Sequence, residues 1–221
     1  MLSAMACSEL DPSELGTKHH WDEFYKTELT NYHDHEETGE VWFGMASVRR
    51  MVEWVKRMLP DRSSSILDIG CGNGMLLLKL AEAEYTQLTG VDYSQPAIDL
   101  AVSLAKDKAI NYEVANILLS DSSPIFSQKF CLAMDKGTYD AISLTPETAQ
   151  PDRLNYITNV HRLLTSGGFF FITSCNWTSH ELQSHFVFSG KFIFVEDIPA
   201  PTFKFGGATG QTESYVVFQA V

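Results

Sequence analysis

The run ILDIGCGNG, residues 66–74, ends a short apolar stretch in an acid and a turn with glycine at every second position. Gly70, Gly72 and Gly74 can take positive φ and leave free the space a Cβ would fill, which a nucleotide-like ligand lying across a strand end requires. The spacing selects among such ligands. A dinucleotide fingerprint, GxGxxG, needs its third glycine at position 75, which is Met75. A phosphate loop needs Lys and then Ser or Thr after its last glycine, where Met75 and Leu76 stand. Neither pyrophosphate-binding arrangement is met. Asp68 lies in the run itself, and Asp92 closes the next apolar stretch in QLTGVDYS, about 20 residues beyond the turn, where ribose hydroxyls are held in open α/β nucleotide sites. The pattern fits an adenosine ligand without phosphates. Cys71 belongs to the same turn, and Tyr93, beside Asp92, either flanks an adenine or is an exposed aromatic.

These residues need elements to hold them. Residues 66–69 read as a strand, about 73–83 as a helix, and 87–91 as a second strand; Ser94 then caps a helix through Ala97, Ile98, Ala101, Leu104 and Ala105. Residues 110–115 and 129–135 read as a third and a fourth strand. A helix follows through Leu154, Ile157, Val160, Leu163 and Leu164, closed by Gly167 and Gly168, and FFFITS is an apolar run of the kind buried on both faces of a parallel sheet. The alternation predicts a doubly wound, Rossmann-like α/β sheet with helices on both faces and ligands at the carboxyl ends of its strands. KFIFVED and YVVFQAV, separated only by the Gly-rich GGATGQTES, read as two final strands that must pair antiparallel or nearly so. Asp135, at the end of the fourth strand in AMDKGTYDAISL, is expected next to the glycine turn, facing the ligand or an incoming nucleophile, unless it is a surface acid capping the following segment. Asn176 and Trp177, after the fifth strand, line an acceptor entrance or cap the strand.

Upstream, Val48, Met51, Val52, Val55, Met58 and Leu59 recur at helical spacing and Pro60 stops the helix. Residues 21–44 are charged but rich in aromatics, and are expected to pack on the domain as a helix and then a lid. Residues 1–20 are expected to form a disordered acidic tail. With 221 residues, 44% of them apolar, the chain supports one substantial core, and residues 21–221 are read as a single domain. Net charge is −12, of which residues 1–40 hold −8. That acidity disfavours nucleic acid as the main substrate and favours a basic protein. Cys7, Cys71, Cys131 and Cys175 form no CxxC pair, so neither disulfides nor zinc are expected; HDH at 33–35 is short and lacks a partner cluster, and no metal site is expected there. No apolar run reaches membrane-spanning length and the N-terminus does not read as a signal peptide, so a cytoplasmic, possibly also nuclear, monomer is expected.

LDIGCGNG followed by VDYS resembles the first two motifs of the seven-stranded, S-adenosylmethionine-dependent methyltransferases. The phrases GEVWFG, DKGTYDAISL, SCNWT and FGGATGQTESYVVFQ, spread over residues 21–221, are similar to the elongation factor 1-alpha lysine methyltransferases of the methyltransferase-like 10 type. The resemblance implies a seven-stranded sheet, mostly parallel with an antiparallel C-terminal strand, S-adenosylmethionine as cofactor, and a lysine of elongation factor 1-alpha as acceptor. It implies a cofactor site of Asp68, Gly70, Gly72, Asp92, Asn116 and Asp135, with Trp42 and Phe43 in the segment over it. Asn116 and Ile117 then serve the adenine, by hydrogen bonding and packing, unless they are a turn residue and a core residue. Related sequences tend to carry Asp at position 116; Asn keeps an acceptor oxygen. Asp135 is assigned to positioning of cofactor or acceptor rather than to proton abstraction. A small-molecule methyltransferase and a non-catalytic cofactor-binding subunit are the competing readings; Met75 and the final strand pair weaken a dehydrogenase.

Overall fold

The chain opens with a 3-10 turn (Glu14–Gly16), α1 (Lys18–His35) and α2 (Gly44–Met58). Strand and helix then alternate: β1 (Ser65–Ile69), α3 (Met75–Glu82), β2 (Gln87–Asp92), α4 (Gln95–Ala105), β3 (Ile110–Val114), β4 (Phe130–Lys136), α5 (Thr138–Ser143), α6 (Ala149–Leu163), β5 (Leu164–Ser174) and α7 (Ser179–Val187). β6 (Phe192–Asp197), β7 (Thr202–Phe205), β8 (Ala208–Gln211) and β9 (Ser214–Ala220) complete it. This computed structural model describes residues 9–120, 123–200, 202–205 and 208–221.

Seven strands form one sheet in the order β3-β2-β1-β4-β5-β9-β6. The first five pair parallel, and β9 inserts antiparallel between β5 and β6, with Phe171 opposite Val217 and Phe192 opposite Ala220. The order reverses direction beside β1, so the ends of β1 and β4 flank a crevice where ligands bind in open α/β sheets. Strand alternation divides the core between the two faces. Leu67, Ile69, Ala133, Phe170, Ile172 and Phe218 pack with α6 and α7, whereas Ile66, Leu132, Met134, Phe171 and Val217 pack with α2 and α3. The periodic face of α2 that the sequence predicted is the buried one: Val48, Met51, Val52 and Val55 each remove about 1.5–3 kcal/mol worth of apolar surface from water. α1 lies across α4, with Tyr25 buried against Ala97 and Leu100.

Several expectations are corrected. Order starts well before residue 21: Ser13 and Thr17 accept hydrogen bonds at the starts of the 3-10 turn and α1, and Glu9 pairs with Arg153. Residues 1–8 of the expected tail lie outside the described residues. Ser94 occupies the position before α4, but its hydroxyl makes no cap; the carboxylate of Asp92 accepts from the Ser94 N–H instead, at 2.9 Å. Gly167 and Gly168 do not end α6, which stops at Leu163; they lie inside β5, where the register with β4 shifts between Phe130 and Leu132. Part of the Gly-rich stretch before β9 forms a two-stranded ribbon, β7 with β8, rather than a plain turn; residues 206 and 207 lie outside the described ones. α5 and α7 have no counterpart in the pattern-based reading. α7 was nonetheless marked by a capping box, Thr178 with Glu181, which both sides of the bond satisfy.

Candidate functional site

The glycine turn links β1 to α3 and takes the left-handed conformation at all three glycines, with φ of 65° at Gly70, 54° at Gly72 and 72° at Gly74. Space as well as φ demands glycine here. A Cβ on Gly70 would collide with Thr138, one on Gly72 with the Tyr25 hydroxyl and one on Gly74 with the Tyr112 hydroxyl. Two bonds tie the turn to β2: Cys71 N–H donates to Val91 O at 3.0 Å and Gly72 N–H to the Asp92 carboxylate at 3.0 Å. Asn73, which sequence reasoning passed over, anchors the segment above. Its Nδ2 donates to Thr38 O and Glu40 O, both at 3.1 Å, while its Oδ1 accepts from Met75 N–H.

Above the turn lies a cavity of about 300 Å³. Its floor is Ile69 to Asn73. One wall comes from the ends of β2 and β3, Asp92, Tyr93 and Asn116 to Leu118; the opposite wall comes from Lys136 to Thr138, Asp140, Cys175 and Asn176. The roof is N-terminal: Leu15, Gly16, Trp21, Tyr25, Glu40, Trp42 and Phe43. Trp42 meets Trp21 edge-on at 5.3 Å, and its indole Nε1 is buried with no hydrogen-bond partner. Trp21 donates to Leu15 O at 2.7 Å, and Ser13 N–H to Leu144 O at 3.1 Å, which holds the strap over the cavity. Phe43 takes a left-handed φ of 58° and its ring packs against Gly137. α6 fixes the β3 wall through Asn159 Nδ2 to Ile117 O at 2.8 Å and Asn155 Nδ2 to Leu118 O at 2.7 Å.

Four buried carboxylates, Asp68, Asp92, Asp135 and Asp140, lie at or beneath this site, and burial raises each of them. Burial pushes Asp68 up to about 7 against the pull of the Lys136 ammonium, and pushes Asp92 up to about 6 against two backbone N–H donors. Asp135 is likewise raised by burial to about 7. Lys136 lines the cavity, and burial lowers it while Asp68 and Asp135 oppose that shift.

Of the residues predicted from sequence, Trp42, Gly70, Cys71, Gly72, Asp92, Tyr93, Asn116 and Ile117 line the cavity together. Asn116 also closes its own turn, accepting from Leu118 N–H at 2.9 Å, and Ile117 also belongs to the core, so the turn and core roles weighed for them are present alongside a place on the cavity wall. Asp68 is 2% exposed, one layer below the cavity lining. Asp135 requires correction: it faces away from the cavity. Fully buried, it accepts from Thr138 and Tyr139 N–H, both at 2.9 Å, and from the Tyr156 hydroxyl, so it initiates α5 and ties it to α6. Trp177 also turns inward, donating to the Ser143 hydroxyl at 3.0 Å, whereas Asn176 does line the cavity. Asp140, five residues past Asp135, is the buried acid of that phrase that reaches the cavity wall.

The methyltransferase domain family matches residues 60–205. EEF1A lysine methyltransferase 2 of Danio rerio is 41% identical over 94% of this chain and 88% of its own length, and its Homo sapiens counterpart is 40% identical over 94% and 87%. Protein-lysine N-methyltransferase efm4 of Schizosaccharomyces pombe is 39% identical over 96% of both. Among solved structures, the N-methyltransferase NodS of Bradyrhizobium japonicum, in complex with S-adenosyl-L-homocysteine, superposes with a TM-score of 0.62 at 18% identity, covering 90% of this chain and 98% of that one. A TehB-like SAM-dependent methyltransferase of Corynebacterium glutamicum gives 0.62 at 16% identity, covering 93% and 100%. The glycine turn, the cavity at the reversal of strand order and near-full-length identity to these relatives agree, and the chain belongs to the methyltransferase family, in the group that holds EEF1A lysine methyltransferase 2 and the Efm4 protein-lysine N-methyltransferases.

Proposed function

We propose that the cavity over the glycine turn takes S-adenosylmethionine and that the protein transfers its methyl group to a lysine side chain of EEF1A. The near-full-length identity to EEF1A lysine methyltransferases carries this reading. The residues present fit the cofactor. Asp92 and Tyr93 stand where ribose and adenine are held, Asn116 to Leu118 offer a polar edge and an apolar face, and Asp68 and Asp92 suit a ligand that carries an ammonium group. Trp42 lines the cavity and its buried Nε1–H has no partner among the described residues, which leaves a donor for the carboxylate of such a ligand.

When bound, the cofactor supplies an electrophilic methyl on a cationic sulfur, which becomes a neutral thioether as the amine gains the methyl and the positive charge. The protein's part is alignment and the exclusion of water. A free lysine amine must lose about 4 kcal/mol worth of proton affinity to be neutral near pH 7.4, from roughly three pKa units. Phe43, Ala141, Ile142 and Leu144 around the cavity lower the amine by desolvation. The ammonium gives its proton to water at the mouth of the cavity before the neutral amine reaches the methyl group, so no side chain has to retain it. Trp21, Tyr25, Trp42 and the strap at Leu15 close the site from above. Incubating the protein with radiolabelled donor and purified EEF1A, followed by mass spectrometry, is expected to show label on a lysine. Donor binding without label on EEF1A refutes the substrate.

A further inference from the structure

We infer that Asp140 binds the ammonium of the acceptor lysine, whereas the sequence reading had assigned Asp135 to positioning of cofactor or acceptor. The inference rests on the functional reading above and names the residue that receives its substrate. The sheet order sets the polarity of the cavity: β2 and β3 lie on one side of the glycine turn, β4 and β5 on the other. Asp92, Tyr93 and Asn116 make the β2–β3 side the adenosine side, so the acceptor has to enter from the ends of β4 and β5. The wall there is Lys136 to Thr138, Asp140, Cys175 and Asn176, with Asp68 and Asp135 as the charge partners of the Lys136 ammonium. Asp140 is 4% exposed, and neutral donors surround its carboxylate: the Ser174 hydroxyl on Oδ1, the Cys175 N–H at 2.8 Å and the Cys175 thiol at 3.4 Å on Oδ2, and the Asn176 N–H beside them.

That geometry does two things. Burial raises the Asp140 carboxyl, and the Ser174 hydroxyl and the backbone N–H groups of Cys175 and Asn176 oppose that shift without cancelling a negative charge, while holding the carboxylate in one orientation at the cavity wall. Of the other acids near this end, Asp152 is only half-buried and is engaged by the Thr148 hydroxyl at the start of α6 at 2.6 Å, and Glu213, which acts on Cys175, accepts from the Tyr215 hydroxyl at 2.7 Å. A lysine ammonium entering from solvent therefore meets one rigid, buried negative group. Asp140 draws it in and sets its direction; the amine then gives its proton to water before its lone pair meets the methyl carbon, so the carboxylate positions and does not abstract.

The test compares wild type, Asp140→Asn and Ser174→Ala by steady-state methylation of EEF1A, with cofactor affinity measured by calorimetry on the same samples. Loss of a charged hydrogen bond is expected to raise KM for EEF1A about 10-fold to 100-fold in Asp140→Asn while cofactor Kd stays within about threefold. Ser174→Ala leaves the carboxylate and its backbone N–H donors from Cys175 and Asn176 in place and is expected to change KM less than threefold. Equal effects of the two variants, an unchanged KM in Asp140→Asn, or a cofactor Kd that weakens in step with KM each overturn the inference. If Asp140→Asn does not fold, wild type decides: a synthetic peptide around the labelled lysine is expected to bind about 10-fold tighter than its norleucine counterpart in the presence of S-adenosylhomocysteine, and equal binding overturns the assignment. Wild type that labels no lysine of EEF1A defeats the functional reading itself; wild type that labels EEF1A beside an unaffected Asp140→Asn defeats this inference alone.

Discussion

Gly72→Ala tests the coupling between the glycine turn and the N-terminal roof. At φ of 54° an alanine costs about 1–2 kcal/mol in backbone strain alone. Its methyl would also overlap the Tyr25 hydroxyl outright and lie 3.1 Å from the ring carbon that bears it. Tyr25 cannot step aside freely, because it is buried against Ala97 and Leu100, stacked on Trp21 at 6.1 Å and edge-on to Phe24 at 5.1 Å. Forcing it off its rotamer adds about 1 kcal/mol, for a total near 3 kcal/mol. Removing the hydroxyl in Tyr25→Phe leaves the ring carbon at a distance that a shift of a few tenths of an ångström accommodates. The double variant Gly72→Ala/Tyr25→Phe is therefore expected to recover about 1 kcal/mol of the overlap and none of the strain. Urea unfolding of the four proteins in the double-mutant cycle measures this, with cofactor affinity followed in parallel. Additivity within about 0.5 kcal/mol would refute the contact between Tyr25 and the turn, and with it the idea that α1 closes directly on the glycines.

The buried acids give opposite pH dependences to stability and to ligand binding. Asp68, Asp92 and Asp135 have folded values raised to about 7, 6 and 7, so the ligand-free protein binds more protons than the unfolded chain between about pH 4 and 7. Its stability is expected to increase on acidification from pH 8 towards 5, and a flat or falling denaturation midpoint contradicts that. A cationic ligand needs Asp68 and Asp92 ionised, so cofactor Kd is expected to rise about 30-fold from pH 8 to 5.5 through Asp68 alone, as measured by calorimetry; a pH-independent Kd removes Asp68 from the site. Trp42→Phe keeps the ring and loses the partnerless Nε1–H. It is expected to weaken cofactor binding about 5-fold to 10-fold with little change in unfolding midpoint; equal binding shows that the indole N–H has no ligand. Asn73→Ala deletes both bonds to the segment at Thr38 and Glu40. Faster hydrogen exchange across residues 36–43 is the expected signature, and unchanged protection there places the anchor elsewhere.

The chemistry-bearing turn was legible because it is local. Strand, acid and alternate glycines are adjacent in the chain, and their spacing excludes pyrophosphate without knowledge of any distant residue. The final antiparallel pair was legible too, since two strands with no helix between them have few ways to join a parallel sheet. α5 escaped notice because six residues show no helical period; its start depends on the Asp135 carboxylate beneath it. The early ordering of residues 9–17 escaped because it comes from contacts with Arg153, Leu144 and Thr145, more than 120 residues away along the chain.

The same division separates Asp135 from Asp140. Sequence by itself determined the fold class, the glycine turn and the acids at the ends of β1 and β2, because a strand of period two and a turn of fixed spacing dictate where those groups emerge. It also narrowed the acceptor end to one phrase, DKGTYDAISL. Which of the two acids in that phrase meets the cavity was decided only in three dimensions. The short helix that begins after Gly137 rotates Asp140 out to the wall beside Cys175, while the N–H groups of its first turn, and Tyr156 from α6, hold Asp135 beneath. Likewise the glycines are required less by any ligand's bulk than by Thr138, Tyr25 and Tyr112, side chains that packing brings from three other elements to the same turn.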